Sequence, residues 1–286
     1  MSSQNYAVAT TIGYLAILLW GVESVFVVKV KAIPLFEILT VAYLISFLLT
    51  AAKLSWQRDW ARLKQPWILW VVGLCGVLGN DILYVSAFKY APAAQIDLIN
   101  GVWPVFVIVF AGLLPQEQFR WRQLLGAVVG LFGVSLLITN GHGISGLREQ
   151  YLPGYALSFS DAVLWSLYTL ISRYFGATPV EMVGVYCGLG ALFCAVGHFE
   201  FEPTIWPNAQ QWGTLVILGL SAQGLAYYFW DFGVKRGHFK LLSILSYTAP
   251  FISIISLVTF GLTKPTLILA MACTLVTISG FVARSE

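Results

Sequence analysis

The sequence predicts an all-α polytopic membrane protein, with ten transmembrane helices built as two inverted repeats of five around a central cavity. Three observations carry that expectation. Of 286 residues, 58% are hydrophobic and only 10% charged, with a mean hydropathy of +0.80, so there is too little polar side chain to coat a soluble globule. Apolar runs of roughly 20 residues, the length a helix needs to cross a bilayer, recur from end to end with short polar breaks. The second half also echoes the first: Lys235 follows Lys89, Pro250 follows Pro104 and Trp230 follows Tyr84, all at one constant offset.

The runs extend from Val8 to Val30, Pro34 to Leu54, Pro66 to Phe88, Ala93 to Leu114, Trp121 to Thr139, Gly154 to Tyr174, Glu181 to Phe199, Gln211 to Lys235, Leu241 to Leu262, and Pro265 to Ala283. Proline punctuates the breaks, where a lost backbone donor costs least. The N-terminal residues lack the basic region and cleavage site of a signal peptide, so the first run is expected to remain as a span. The polar break from Asn140 to Pro153 divides the chain into a first repeat, 1–139, a connecting loop, 140–153, and a second repeat, 154–286. Five spans per repeat make the second copy enter the membrane from the opposite side. That is the symmetry of many secondary transporters, whose substrate site lies near the midplane between the halves.

Lysine and arginine in short loops set the orientation. With the N-terminus in the cytoplasm, Lys53, Arg58, Arg62, Lys64, Arg120, Arg122, Arg173, Lys235, Arg236, Lys240 and Arg284 lie inside, against Lys29, Lys31, Lys89, Arg148 and Lys264 outside. Both termini are therefore expected to be cytoplasmic. The net charge of +3 is small and sits in these loops, which argues for the lipid bilayer and against nucleic acid as a partner. Cys75, Cys187, Cys194 and Cys273 lie inside apolar runs without paired-ligand spacing and read as buried thiols. His142, His198 and His238 are scattered, so no metal, cofactor or catalytic constellation is expected.

Two kinds of span can be distinguished. The fifth is aliphatic and glycine-rich, with Gly126, Gly130 and Gly133 on nearly one face, and the tenth is its counterpart; small residues at that spacing permit close helix packing. Packing inside one chain is favoured over a homodimer contact, so a monomer is expected. The first, third, fourth, sixth, eighth and ninth spans carry polar and aromatic stripes at helical spacing. These are Trp20 and Glu23; Asn80 and Tyr84; Asp97, Asn100 and Pro104 beside Trp103; Asp161, Trp165, Tyr168 and Ser172; Gln223, Tyr227 and Asp231; Ser243, Ser246, Tyr247 and Pro250.

Trp56, Trp60, Trp67, Trp70, Trp206 and Trp212 fall near span ends and read as interfacial belt residues. Trp20, Trp103 and Trp165 fall mid-span and read as cavity lining. Ionisable groups at depth are costly and need a partner or water. Glu23 and Asp81 are the deep ones, whereas Asp97, Asp161 and Asp231 lie nearer span ends and are expected to be solvated or paired. Lys89 and Lys235 occupy matching turns, where snorkelling to the interface is the default. Pro104 and Pro250 lie mid-span at equivalent places and suggest paired hinges.

With the repeat, the ten spans, the Trp20-Gly21 and Trp165-Ser166 pair, the Lys89-Tyr90-Ala91-Pro92 turn and the glycine-rich fifth span in view, the whole chain resembles the drug/metabolite transporter superfamily. More narrowly it resembles the ten-span, EamA-type metabolite exporters, among them bacterial aromatic amino acid exporters. The resemblance implies a pathway formed by spans one, three, four, six, eight and nine, alternating access by the repeats, and a bacterial inner-membrane location. Many members have a Glu in the turn after span four, where this chain has Glu117; Thr263 stands at the equivalent turn of the second half.

The expected function is export of amino acids, chiefly aromatic and other hydrophobic ones, through an uncharged aromatic-lined cavity by facilitated diffusion. Trp20, Glu23, Asn80, Tyr84, Asn100, Trp103, Trp165, Tyr168, Tyr227 and Tyr247 are the expected substrate-binding residues. The alternative is a proton-coupled exporter of drugs or amphipathic metabolites that uses Glu23, because small members of the superfamily carry an essential Glu in their first span.

Overall fold

The computed structural model describes residues 3–112 and 121–283. Those residues form ten long helical rods, several of them interrupted, and no strand among the described residues. The rods fall where the ten apolar runs do. They comprise α1 (Ser3–Trp20) with α2 (Glu23–Val30); α3 (Leu35–Gln57); α4 (Trp67–Leu74) with α5 (Asn80–Tyr90); α6 (Ala93–Asn100) with α7 (Trp103–Gly112); and α8 (Trp121–Ile138). The second half contributes α9 (Leu152–Tyr174), α10 (Met182–Phe201), α11 (Ala209–Leu220) with α12 (Tyr227–Arg236), α13 (Phe239–Leu245) with α14 (Ala249–Thr259), and α15 (Leu267–Ala283). Glu117 lies outside the described residues.

The starts are legible in the chain. Pro34, Pro66 and Pro92 each stand immediately before a helix with extended backbone, pre-set in φ and withholding no hydrogen bond the helix needs. Asn208 and Gln211 form a reciprocal capping box at the head of α11, which satisfies two end donors.

Among the described residues, seven helices are long and apolar enough to cross a membrane, and Leu267–Val282 is a shorter apolar helix. The two remaining rods, α9 and 209–236, are diluted by polar side chains that turn inward. Outward faces are apolar instead: Leu124, Val128 and Phe132 on α8 and Leu192, Phe193 and Val196 on α10 are all exposed, as lipid-facing positions should be. Trp56, Trp67 and Trp206 are also exposed near helix ends. Cys75 departs from expectation: it is exposed, while the other three thiols are buried.

Close packing explains the glycine stripe. Gly126, Gly130 and Gly133 are buried on α8, and a Cβ on Gly133 would stand 2.8 Å from Leu275 Cβ and 3.0 Å from the Ala272 carbonyl oxygen on α15. The stripe is thus consumed within the chain. Gly133→Leu is expected to separate α8 from α15 at about 1–3 kcal/mol, read as a lower melting temperature in detergent.

Successive rods run antiparallel and give the bundle two ends. At one end Tyr155 donates to Gln95 (2.8 Å) and the Phe36 amide to Glu202. At the other end Lys53 pairs with Glu181 at 2.7 Å, the His238 amide donates to Thr10 (2.8 Å), and the Arg173 guanidinium lies 4.1 Å over Phe239. These are called the Gln95 end and the Lys53 end below. Burial works against ionisation of Glu181, but the hydrogen bond and charge of Lys53, with Arg62 nearby, outweigh it and hold the carboxyl below its ordinary value of 4.5. A carboxyl lowered by folding contributes stability above its unfolded value and loses it as pH falls through the folded one. Melting measured from pH 7 down through 4 should therefore show a loss of at most about 1 kcal/mol, since Lys53 is half-exposed and such pairs are screened; Glu181→Gln should abolish it.

Candidate functional site

The interruptions occur where the inward faces meet. The first span breaks at 21–22, the fourth at 101–102, and the ninth through a 3-10 turn at Ser246–Thr248. The third and eighth each widen into a π turn, Cys75–Gly79 and Ser221–Ala226. Such turns displace carbonyls from the regular ladder and favour functional sites. Three of those carbonyls are taken by side chains: Tyr43 donates to Val77 (3.1 Å), the Trp20 indole to Ala222 (3.2 Å), and the Cys187 thiol contacts Gln223 at 3.6 Å. Space is tight at these breaks, and Gly101 is needed because the Pro250 ring occupies the place of a Cβ.

A cavity of about 70 Å³ lies between the interruptions. That is room for a handful of waters, at roughly 10–15 Å³ each, so an amino acid could enter only if the walls parted. It is displaced toward the Gln95 end, with Tyr84, Asp97 and Ser253 among its walls. Trp20, Trp103, Trp165 and Tyr227 also line it. The rings form one continuous cluster: Trp20 meets Trp165 at 5.2 Å, Tyr227 at 5.6 Å and Trp230 at 5.7 Å, and Trp103 meets Trp230 at 5.3 Å. Most are edge-to-face, which suits the ring quadrupoles.

Four carboxyl groups share the same cavity: Glu23, Asp81, Asp97 and Asp161. Gln223 donates to Glu23 (2.7 Å); Tyr43 (2.7 Å) and Tyr227 (2.8 Å) donate to Asp81; Tyr84 (2.8 Å) and Ser253 donate to Asp97; Asn100 donates to Asp161. Asp161 Oδ1 is buried with no hydrogen-bond partner among the described residues. The described lining contains no Lys, Arg or His. Buried negative charge without a counter-charge is costly, so a ligand cation or bound protons must supply the balance.

The pattern of broken spans and inward polar faces has a counterpart among known proteins. The EamA-like transporter family matches residues 8–139 and again residues 152–284. The chain belongs to the EamA-like transporter family. Among EamA-like relatives, an aromatic amino acid exporter of Ancylobacter novellus is 38% identical over 269 residues, 94% of each chain. The aromatic amino acid exporter of Escherichia coli K12 is 24% identical over 261 residues, 86% of each chain. A crystal structure that is 37% identical superposes with a TM-score of 0.80 over 97% of this chain and 96% of its own.

Eight of the ten expected substrate-binding residues of this EamA-family chain line the cavity: Trp20, Glu23, Asn80, Tyr84, Asn100, Trp103, Trp165 and Tyr227. Tyr168 does not. Its ring lies tilted against Trp165 at 5.3 Å, and it lines a second, smaller cavity at the Lys53 end. Tyr247 is turned away altogether: it is 1% exposed and its ring packs on Gly280. The expected stripe assumed 100° per residue, and the 3-10 turn at 246–248 advances by about 120°, which rotates Tyr247 toward α15.

The cavity also gathers more carboxyl groups than expected, since Asp97 and Asp161 join Glu23 and Asp81 there. Asp97 lies in the last turn of α6 but Asp161 lies about midway along α9, and α6 and α9 cover one another there, with Ser158 donating to the Ile96 carbonyl at 2.8 Å. Both are at most 5% exposed. The shared inward direction of the two stripes was the available signal. Lys235 does not snorkel; its side chain is 5% exposed and pairs with Asp231 at 2.7 Å, whereas Lys89 is exposed as expected.

Pro104 and Pro250 are the second residues of α7 and α14. Each stands just after an interruption rather than inside a continuous helix, so its missing amide forfeits no ladder bond. Replacing both with alanine is expected to leave stability within about 1 kcal/mol and to slow transport severalfold without loss of substrate binding. Stopped-flow transport set beside equilibrium binding would test this; unchanged rates would remove the hinge role.

Proposed function

We propose that this chain exports amino acids, chiefly aromatic and other hydrophobic ones, from the cytoplasm across a bacterial inner membrane. The observation that carries this is one cavity combining aromatic walls with four carboxyl groups and, among the described residues, no cationic lining residue. That combination complements a ligand with an ammonium group and a ring, since edge and face contacts hold the ring while the carboxylates take the charge. The exporter from Ancylobacter novellus, similar over nearly its whole length, supports the substrate class.

In this proposal residues 1–139 and 154–286 act as two inverted five-helix repeats joined by 140–153, with both termini cytoplasmic and a single chain sufficing. The aromatic cluster separates a cavity toward the Gln95 end from one toward the Lys53 end. Rocking of the repeats would open these in turn, and a cytoplasmic excess of amino acid would drive export by facilitated diffusion. No cofactor or catalytic step enters this reading.

The clustered carboxyl groups favour one alternative, proton-coupled export of drugs or amphipathic metabolites through Glu23, whose Oε1 is held by Gln223. Reconstituted protein separates the two. Efflux of phenylalanine and tryptophan that persists without a pH gradient supports the first reading; dye efflux that needs the gradient and is lost in Glu23→Gln supports the second. Absence of any amino acid flux would overturn the first.

A further inference from the structure

The Lys53 end holds a cavity of about 20 Å³, walled by α4, α9, α10, α12 and the connection between α9 and α10. Tyr168, Phe175 and Tyr186 give it aromatic walls, and Ser172, Asp231 and Lys235 give it polar ones. Asp231 and Lys235 are i, i+4 partners on α12 and are 3% and 5% exposed. Ser172 on α9 donates to Asp231 Oδ1 at 2.7 Å. Lys235 also donates to the Thr178 carbonyl at 3.1 Å. The pair therefore ties α12 to α9 and closes this end beneath Tyr168.

We propose that this small cavity is a second binding subsite, for a zwitterionic amino acid, in which Asp231 and Lys235 exchange their contact with each other for the substrate's ammonium and carboxylate. The inference rests on the amino acid export reading and adds the site at which substrate is first received. A buried pair is costly to break one partner at a time, because the survivor is left uncompensated. A zwitterion brings both counter-charges together, so each side chain gains a partner as it loses one. An amine or an acid alone brings only one and strands the other side chain. At about 20 Å³ the cavity admits an amino acid only as its walls part: separating Asp231 from Lys235 and Ser172 frees α12 from α9, and the aromatic walls then receive an aromatic side chain.

The central cavity differs in having carboxyl groups but, among the described residues, no cationic side chain. The subsite near Lys235 would therefore be where amino acids are told from amines. The test is counterflow of labelled phenylalanine by the full chain in proteoliposomes, with unlabelled phenylalanine, 2-phenylethylamine and 3-phenylpropionate as competitors. Wild-type protein should prefer phenylalanine over either analogue by about tenfold or more, the ratio set by one unmatched charge worth about 1.4 kcal/mol. Two paired variants are compared, because single substitutions strand a buried charge and invite misfolding. Asp231→Asn with Lys235→Met removes both charges, and should weaken phenylalanine about tenfold, leave the analogues unchanged and so erase the preference. Asp231→Lys with Lys235→Asp keeps both charges and should restore it. Retention of the wild-type preference by the neutral pair, or equal behaviour of the two pairs, would overturn the subsite and leave a purely structural tie. Wild-type protein that exchanges no phenylalanine would instead overturn the export reading, and the subsite with it.

Discussion

Trp165→Ala is expected to reduce phenylalanine transport to background and to lower stability by about 3–5 kcal/mol, the usual loss for truncating a buried Trp. The size follows from its position. Trp165 is 5% exposed and touches Trp20, Trp103, Tyr168 and Tyr227 at 5.2, 6.4, 5.3 and 5.4 Å. It lines the central cavity while its neighbour Tyr168 lines the smaller one, so its loss is expected to thin the partition of rings between the two spaces. Melting in detergent and uptake into proteoliposomes measure the two effects. Trp165→Phe keeps part of the partition and should recover measurable transport, whereas Trp56→Ala, at a position 91% exposed, should change neither. Normal transport by Trp165→Ala would disprove the partition.

Asp161→Asn should act on affinity with little effect on the fold. The side chain is 1% exposed. One oxygen accepts from Asn100, and the other has no partner among the described residues. An amide keeps the first contact and forfeits the charge opposite an incoming ammonium. A hydrogen bond to a charged group contributes about 1.5–3 kcal/mol, so KM for phenylalanine should rise by about ten- to a hundredfold. Concentration dependence of counterflow reports it, and an unchanged KM would place ammonium recognition elsewhere. Asp97→Asn should be harder on stability, because both of its oxygens already accept hydrogen bonds, from Tyr84 and Ser253.

Much of this was legible in the chain. Length and apolarity of the runs fix a helical membrane protein, because an unpaired backbone is intolerable in hydrocarbon. Helical spacing identified the face of α9 bearing Asp161, Trp165, Tyr168 and Ser172, and the face of α12 and its preceding π turn bearing Gln223, Tyr227 and Asp231. Those faces do point inward; along α9 and α12 the regular helical period accounts for it, and Gln223 in the π turn is buried on the same side as Glu23, to which it donates. At the 3-10 turn the change of period did defeat inference from spacing, and Tyr247 turned away from the cavity.

Taken alone, the sequence determined the class, the order of the ten runs and most of the side chains around the central space, through local properties that each segment carries by itself. Only the tertiary structure decided that Glu23, Asp81, Asp97 and Asp161 meet in one cavity, that Lys235 is paired inside the protein, and that Trp165 packs among Trp20, Trp103, Tyr168 and Tyr227. Those outcomes depend on interruptions and on packing between segments as far apart in the chain as Glu23 and Gln223, and a helix's own spacing does not specify which neighbour will cover it.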